Sequence, residues 1–113
     1  DVPYTVLTKT RRGDKEVEVS VPDVDQYKAH TPVLVDDIIS TAHTMIATVI
    51  HLKRAGMNPP VCIGVHAVFS GGGYEALQKA GTAKIVTCNT IPHPSNAIDL
   101  SSLLAVHLQN KKV

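Results

Sequence analysis

The segment VLVDDIISTAHT, residues 33–44, decides the fold prediction. It is an apolar run that leads into two adjacent acids, Asp36 and Asp37, then a hydroxyl-rich turn and a helix-like stretch. A strand that passes through a short polar turn into a helix is the first part of a βα unit. In open sheets built from such units, ligands bind at the carboxyl ends of the strands. The segment therefore predicts a parallel sheet and also the position of its binding site.

The same strand-then-helix pattern recurs along the chain. Further apolar runs begin at Val61 and Ile85, at a spacing typical of successive βα units. Helices are predicted at residues 41–55 and 74–80, a short strand at 98–100, and a last helix capped by Ser101 or Ser102. Strands that are apolar almost throughout indicate a sheet covered on both faces. We therefore predict an α/β fold, a three-layer sandwich with a mostly parallel sheet.

The first part of the chain has a different pattern. Residues 3–8 are predicted as a strand, residues 9–15 as a charged loop, and residues 16–21 as a second strand whose polar and apolar residues alternate. Alternation indicates a half-exposed strand, so we predict an antiparallel flap, or an edge, beside the parallel sheet.

Composition limits the class of protein. The chain has 113 residues, of which 43% are hydrophobic and 19% charged, with a net charge of +1. We predict one globular domain, residues 1–113, without a membrane span and without nucleic acid as a partner. Cys62 and Cys88 lie in apolar runs outside any zinc-type spacing, so we interpret them as reduced core thiols in a cytoplasmic protein. His66 is interpreted as a satisfied histidine of the core or rim.

The turn after the first apolar run is suited to a phosphate. Backbone N–H groups at a helix start, together with the hydroxyls of Ser40, Thr41 and Thr44, favour an anion there. The preceding acids, Asp36 and Asp37, accept hydrogen bonds from sugar hydroxyls or hold a divalent cation. In a purely structural interpretation they only end a strand and cap a helix. A phosphate site beside diol-binding acids predicts a ribose phosphate as the ligand.

This segment resembles the phosphoribosyl pyrophosphate loop of type I phosphoribosyltransferases and of ribose-phosphate pyrophosphokinases. The resemblance places a ribose-phosphate loop at residues 35–44, in which Asp36 and Asp37 contact the ribose hydroxyls. The residues that would cradle the 5-phosphate are Ser40, Thr41, Ala42, His43 and Thr44. Two small residues of the family pattern are replaced here by Ala42 and His43. A positive φ at His43 would be strained, and its side chain is either solvated or in reach of a phosphate oxygen.

Other segments favour the pyrophosphokinases over the transferases. Lys9-Thr10-Arg11 resembles the Lys-x-Arg of their flexible catalytic loop, here residues 9–15, although alone it is an exposed basic hairpin tip. The resemblance implies that Lys9 and Arg11 stabilise the transferred group. Three further segments also resemble the family: residues 66–71 (HAVFSG), 87–93 (TCNTIPH) and 98–105 (IDLSSLLA).

The resemblance implies the carboxy-terminal domain of a longer, two-domain ribose-phosphate diphosphokinase. Such an enzyme uses ATP and Mg²⁺ with ribose 5-phosphate, and Asp36 would hold the metal through the ribose hydroxyls. We expect the 113-residue chain alone to be inactive and its parent to be a homo-oligomer. Two alternatives stay open: a base phosphoribosyltransferase, and a non-catalytic regulatory relative, which the substitutions at Ala42 and His43 favour.

Overall fold

The computed structural model of the chain describes residues 2–12, 16–20 and 24–111, without the side chains of 8–12, 16–20 and 111. A 3₁₀ turn at Asp25–Tyr27 precedes the main fold. The other elements, in chain order, are β1 (Thr8–Arg12), β2 (Glu16–Ser20), β3 (Val33–Ile39), α1 (His43–Arg54), β4 (Val61–Ala67), α2 (Gly73–Lys79), β5 (Lys84–Cys88), β6 (Asn96–Ile98) and α3 (Ser101–Lys111).

Four strands form a parallel sheet in the order β3-β4-β5-β6. Leu34 lies opposite Cys62, and Cys62 lies opposite Ile85, so the apolar runs found in the sequence meet in register. The parallel α/β fold predicted from the βα pattern is confirmed. Because all four strands point the same way, their carboxyl ends lie at one edge of the sheet.

The core lies between the sheet and helices α1 and α2. Ile39, Met45, Val49, Cys62 and Leu77 are all buried there, and each is at most 6% exposed. The apolar face of α1 supplies Met45 and Val49, and α2 supplies Leu77. Both cysteines are free thiols inside the fold, as predicted. Burial raises the pKa of the Cys62 thiol to about 11.

Strands β1 and β2 form a separate antiparallel pair, in which Lys9 lies opposite Val19 and Arg11 opposite Val17. The first strand starts at Thr8, so the strand predicted at residues 3–8 is wrong: residues 2–7 form no strand, and Tyr4 is 91% exposed. Pairing with β2 places residues 9–12 of the predicted loop in a strand, and residues 13–15 lie outside the described residues. The role of the pair as a flap stays a prediction.

Side-chain caps and ladder pairing shift several boundaries. β3 continues through the two acids to Ile39 because it keeps pairing with β4 as far as Ala67. α3 is capped by Asp99, whose Oδ1 accepts the Ser101 N–H at 2.8 Å; the predicted serine cap is wrong. The hydrogen bond from this N–H is the main cause of the lowered pKa of Asp99.

In the described part of the chain, every helix is too short or too polar to cross a membrane.

Candidate functional site

The start of α1 lies at the carboxyl edge of the sheet, directly after β3. Ala42, the residue before the helix, has a left-handed backbone with φ of 65°. The positive φ that would have strained His43 lies at Ala42 instead, because His43 is already the first helical residue. Among the described residues no side chain caps the helix, and its first turn carries no acid. The N–H groups of the first turn and the positive end of the helix dipole are therefore available to an anion.

Three hydroxyl residues, Ser40, Thr41 and Thr44, lie just before and within the first turn of this helix. We call residues 40–44 the phosphate loop. Ser40 is half-buried after the end of β3, Thr41 is exposed, and Thr44 is half-buried in the first helical turn. Ala42 is buried beneath the loop, and His43 is exposed. The segment thus has donors from both main chain and side chains on one short turn, which suits a phosphate group.

The two acids lie near the end of β3. The N–H of Asp37 donates to Asp36 Oδ1, and the N–H of Ile38 donates to Asp37 Oδ1, each at 2.8 Å. A hydrogen bond with the Asp36 side chain, followed by the bond from Ile38 N–H, lowers the pKa of Asp37 below its ordinary 3.8. Asp37 is therefore an ionised, exposed acceptor at neutral pH. Such carboxylates can accept hydrogen bonds from vicinal hydroxyls.

His66, predicted from the sequence to be a satisfied histidine of the core or rim, belongs to the same region. It lies opposite Ile38 in the β3–β4 ladder, and its charge contributes to the lowered pKa of Asp37. Its Nδ1 lies 2.7 Å from Thr90 Oγ1, and the same hydroxyl lies 3.3 Å from the Val65 carbonyl oxygen. The hydroxyl has one proton, so the tautomer of His66 decides whether that proton goes to Nδ1 or to the carbonyl. With either tautomer, the short contact with Thr90 holds the ring beside the acids.

Ser70 is a second residue that sequence reasoning did not assign to the site. Its Oγ lies 2.6 Å from Ser40 Oγ, so the turn after β4 contacts the phosphate loop. The sequence signal was the order of strands: residues that follow neighbouring parallel strands meet at the same edge.

The acids were also predicted to take part in magnesium binding. Mg²⁺ is usually held by one or two carboxylates, with water and substrate phosphates as the other ligands. Within the described ranges no group of three or more His, Cys, Asp or Glu side chains could hold a metal. Asp36 and Asp37 are two carboxylates of the kind that hold this ion, and magnesium binding at Asp36 stays a prediction.

Lys9 and Arg11 lie on β1, and β2, the partner of that strand, is in contact with α1. Their side chains lie outside the described part of the chain. Their predicted catalytic role stays a prediction.

Comparison with known proteins agrees with this geometry. A family model described as the phosphoribosyl transferase domain matches residues 1–103. The chain belongs to the phosphoribosyl transferase domain family. The match extends over the parallel sheet, both acids and the phosphate loop, so the fold type and the resemblance stated from the sequence are confirmed.

Several curated relatives of this phosphoribosyl transferase domain are named ribose-phosphate pyrophosphokinase. The chain is 33% identical over 87 residues to the protein of Wolinella succinogenes, which covers 77% of the chain and 28% of that protein. It is 36% identical over 97 residues to that of Pyrococcus furiosus (86% and 34%), and 35% over 107 residues to that of Sulfurisphaera tokodaii (90% and 36%). The chain thus spans about a third of the length of these relatives.

Proposed function

We propose that this chain is the ribose 5-phosphate-binding part of a ribose-phosphate diphosphokinase. The observation that carries the proposal is the uncapped start of α1, with its left-handed Ala42, directly after the two acids of β3. A phosphate at the helix start and a diol at the acids describe the two ends of ribose 5-phosphate. The relatives named ribose-phosphate pyrophosphokinase support this choice of reaction.

In the proposed reaction, the oxygen of the ribose 1-hydroxyl attacks the β-phosphorus of ATP. The bond from that phosphorus to the oxygen bridging to the α-phosphate breaks, AMP leaves, and the hydroxyl loses its proton. The chain holds the sugar. Asp36 and Asp37 accept hydrogen bonds from the ring hydroxyls, and the phosphate loop binds the 5-phosphate. This positioning supplies most of what the protein contributes, because phosphoryl transfer needs alignment and charge stabilisation more than covalent catalysis.

Lys9 and Arg11 are the proposed groups that stabilise the transferred diphosphoryl group through their positive charges. Mg²⁺ would neutralise charge on the phosphate oxygens, with Asp36 holding it through the ribose hydroxyls. Assembly of the parent protein as a homo-oligomer and a cytoplasmic location stay predictions. So does the inactivity of the 113-residue chain by itself.

The substitutions in the phosphate loop do not argue against binding. Ala42 adopts the left-handed conformation that a glycine would adopt there, with φ of 65°. His43 replaces another small residue, but its side chain is exposed at the first helical position. The turn of the loop is therefore retained at the cost of strain at one residue.

The test is AMP release from Mg-ATP by the protein that contains this chain, with and without ribose 5-phosphate. Release that depends on the sugar phosphate is the expected result. Calorimetric titration of ribose 5-phosphate into the 113-residue chain separates the alternatives. Binding without AMP release would point to a base phosphoribosyltransferase or a regulatory relative, and a chain that binds no ribose 5-phosphate would overturn the proposal.

A further inference from the structure

Residues 68–73, which lead from β4 into the start of α2, contact the phosphate loop and Ile39, the residue before it, at three points. Ser70 Oγ lies 2.6 Å from Ser40 Oγ, and the N–H of Phe69 donates to the carbonyl of Ile39 at 2.8 Å. The third contact is at Gly73, the first residue of α2. A Cβ built there would overlap the Ser40 carbonyl oxygen and lie 2.9 Å from the Thr41 carbonyl carbon. The two loops are therefore in contact through both backbone and side chains.

Phe69 holds this turn in an unusual conformation. Its φ is 44°, a region that bulky side chains rarely adopt unless the surroundings determine it. Its ring packs against those of Tyr74, with centroids 5.0 Å apart, and His93, at 4.6 Å. His93 is fixed in turn, because its Nδ1 lies 2.7 Å from Ser95 Oγ and accepts the Ser95 N–H at 3.1 Å. Aromatic packing around Phe69 therefore restricts the conformation of the turn that carries Ser70.

We propose that Ser70 is a positioning residue for the sugar phosphate, acting through Ser40; the inference rests on the proposed function. Phosphate oxygens at neutral pH are mainly acceptors, so a Ser40 hydroxyl that contacts one must donate its proton to it. Ser40 Oγ then accepts the proton of Ser70. The Ser70 hydroxyl thereby fixes the rotation of the Ser40 hydroxyl and polarises it towards the anion.

Among the residues that the structure describes, the hydroxyls of Ser40 and Ser70 contact each other and no further hydrogen-bond partner. The Ser70 carbonyl accepts the Gly73 N–H at 3.1 Å, which holds the main chain of the turn and leaves the hydroxyl bond to Ser40 as a separate interaction. The hydrogen bond between Ser40 and Ser70 therefore joins the turn that Phe69 restricts to the phosphate loop.

The experiment is a double-mutant cycle, measured by calorimetric titration of ribose 5-phosphate into the 113-residue chain. Ser70→Ala should weaken binding about three- to tenfold, the size of one lost hydrogen bond in a charged network. Ser70→Thr, which keeps the hydroxyl, should restore affinity to within about twofold. The matched control is Ser102→Ala on α3, which should bind as the wild type does. Thermal melts of each variant report whether it folds.

The decisive result is the Ser40→Ala/Ser70→Ala double variant. If Ser70 acts only through Ser40, the double variant binds as weakly as Ser40→Ala alone, so the two effects are not additive. In the protein that contains the chain, the KM for ribose 5-phosphate should rise in Ser70→Ala while the KM for ATP is unchanged.

Two results would overturn the inference while leaving the proposed function intact. One is a Ser70→Ala variant that binds as the wild type does. The other is a double variant whose loss is the product of the two single losses, which would make Ser70 an independent contact. If the wild-type chain itself binds no ribose 5-phosphate, the proposed function fails, and the inference fails with it.

Discussion

At the level of single residues, Ala42 decides the shape of the phosphate loop. It has φ of 65° and is 9% exposed, so its methyl group is buried in a conformation that costs an L-residue about 1–2 kcal/mol. Ala42→Gly would relieve that strain but lose the burial of one methyl, about 0.8 kcal/mol, and also stabilise the unfolded chain. We therefore expect the free energy of unfolding to change by less than about 1 kcal/mol, measured by urea denaturation.

Ala42→Val at the same position provides the contrast. A β-branched side chain is poorly compatible with this backbone, and two further methyls would overpack the core beneath the loop. The expected loss is about 1–3 kcal/mol in the same denaturation experiment. Equal stability of the valine and glycine variants would contradict the assignment of a left-handed, buried Ala42.

Cys62 gives a residue-scale prediction about pH. Burial raises the pKa of its thiol to about 11, against 9.0 for an ordinary thiol. In a Cys88→Ala variant, a thiol reagent at pH 8 should therefore label the unfolded chain quickly and the folded chain very slowly.

The raised pKa of Cys62 also makes the free energy of unfolding depend on pH. Above pH 9 the unfolded chain releases a proton that the folded chain retains. Stability should thus fall between pH 9 and pH 11, and rapid labelling of the folded chain would show that the thiol is accessible.

At the level of elements, helix α2 lies so close to the phosphate loop that only glycine fits at the contact. In Gly73→Ala the new Cβ would overlap the carbonyl oxygen of Ser40, a backbone atom that cannot move aside alone. We expect about 1–3 kcal/mol lower stability in urea denaturation, because either α2 or the loop must shift. Ribose 5-phosphate binding should weaken in the same variant.

The matched control for that variant is Gln78→Ala on the same helix, where the side chain is exposed. It should change stability by less than about 0.5 kcal/mol and leave binding unchanged. A Gly73→Ala chain as stable as Gln78→Ala would mean that α2 does not touch the loop in solution.

Sequence periodicity was sufficient for the elements whose pairing follows the apolar pattern. The starts of β3 and β4 and the apolar face of α1 agree with prediction because apolar residues form each of them. The end of β3 was missed because its last residues include the two acids, whereas the ladder with β4 continues through Asp36 and Ile38. Residues 9–12 were predicted as a loop because most of them are charged, and a charged segment does not indicate a strand, whereas in the structure they pair with β2.

In the candidate site, too, some residues could be identified from the sequence and others depend on how the strands pair. Asp36, Asp37 and the phosphate loop are consecutive in the chain, so their chemistry could be recognised from residue types and order alone. His66 and Ser70 come from the far end of the neighbouring strand, and Thr90 follows β5. Their proximity to the acids and the loop depends on the register of the parallel ladders, which the sequence pattern does not specify.

At the level of the whole molecule, the two faces of the sheet differ. One face is covered by α1 and α2, whereas on the other Val33 is 52% exposed and Val35 is 73% exposed within the described structure. Near-continuous apolar strands predicted cover on both faces. The sequence of apolar residues in a strand indicates that a face of the sheet is apolar, but it does not indicate which part of the molecule packs against that face.

Two matched substitutions measure whether that second face is covered in solution. Val35→Thr replaces a methyl with a hydroxyl at the exposed position, and Val49→Thr makes the same change in α1, where the side chain is fully buried. If the chain behaves as described, Val35→Thr should cost less than about 0.5 kcal/mol, because the hydroxyl stays in water. Val49→Thr should cost about 1–3 kcal/mol, because a hydroxyl is transferred into the core. Urea denaturation at several protein concentrations gives both values. A cost at Val35 as large as that at Val49, growing with concentration, would show that the exposed face is an interface between copies of the chain.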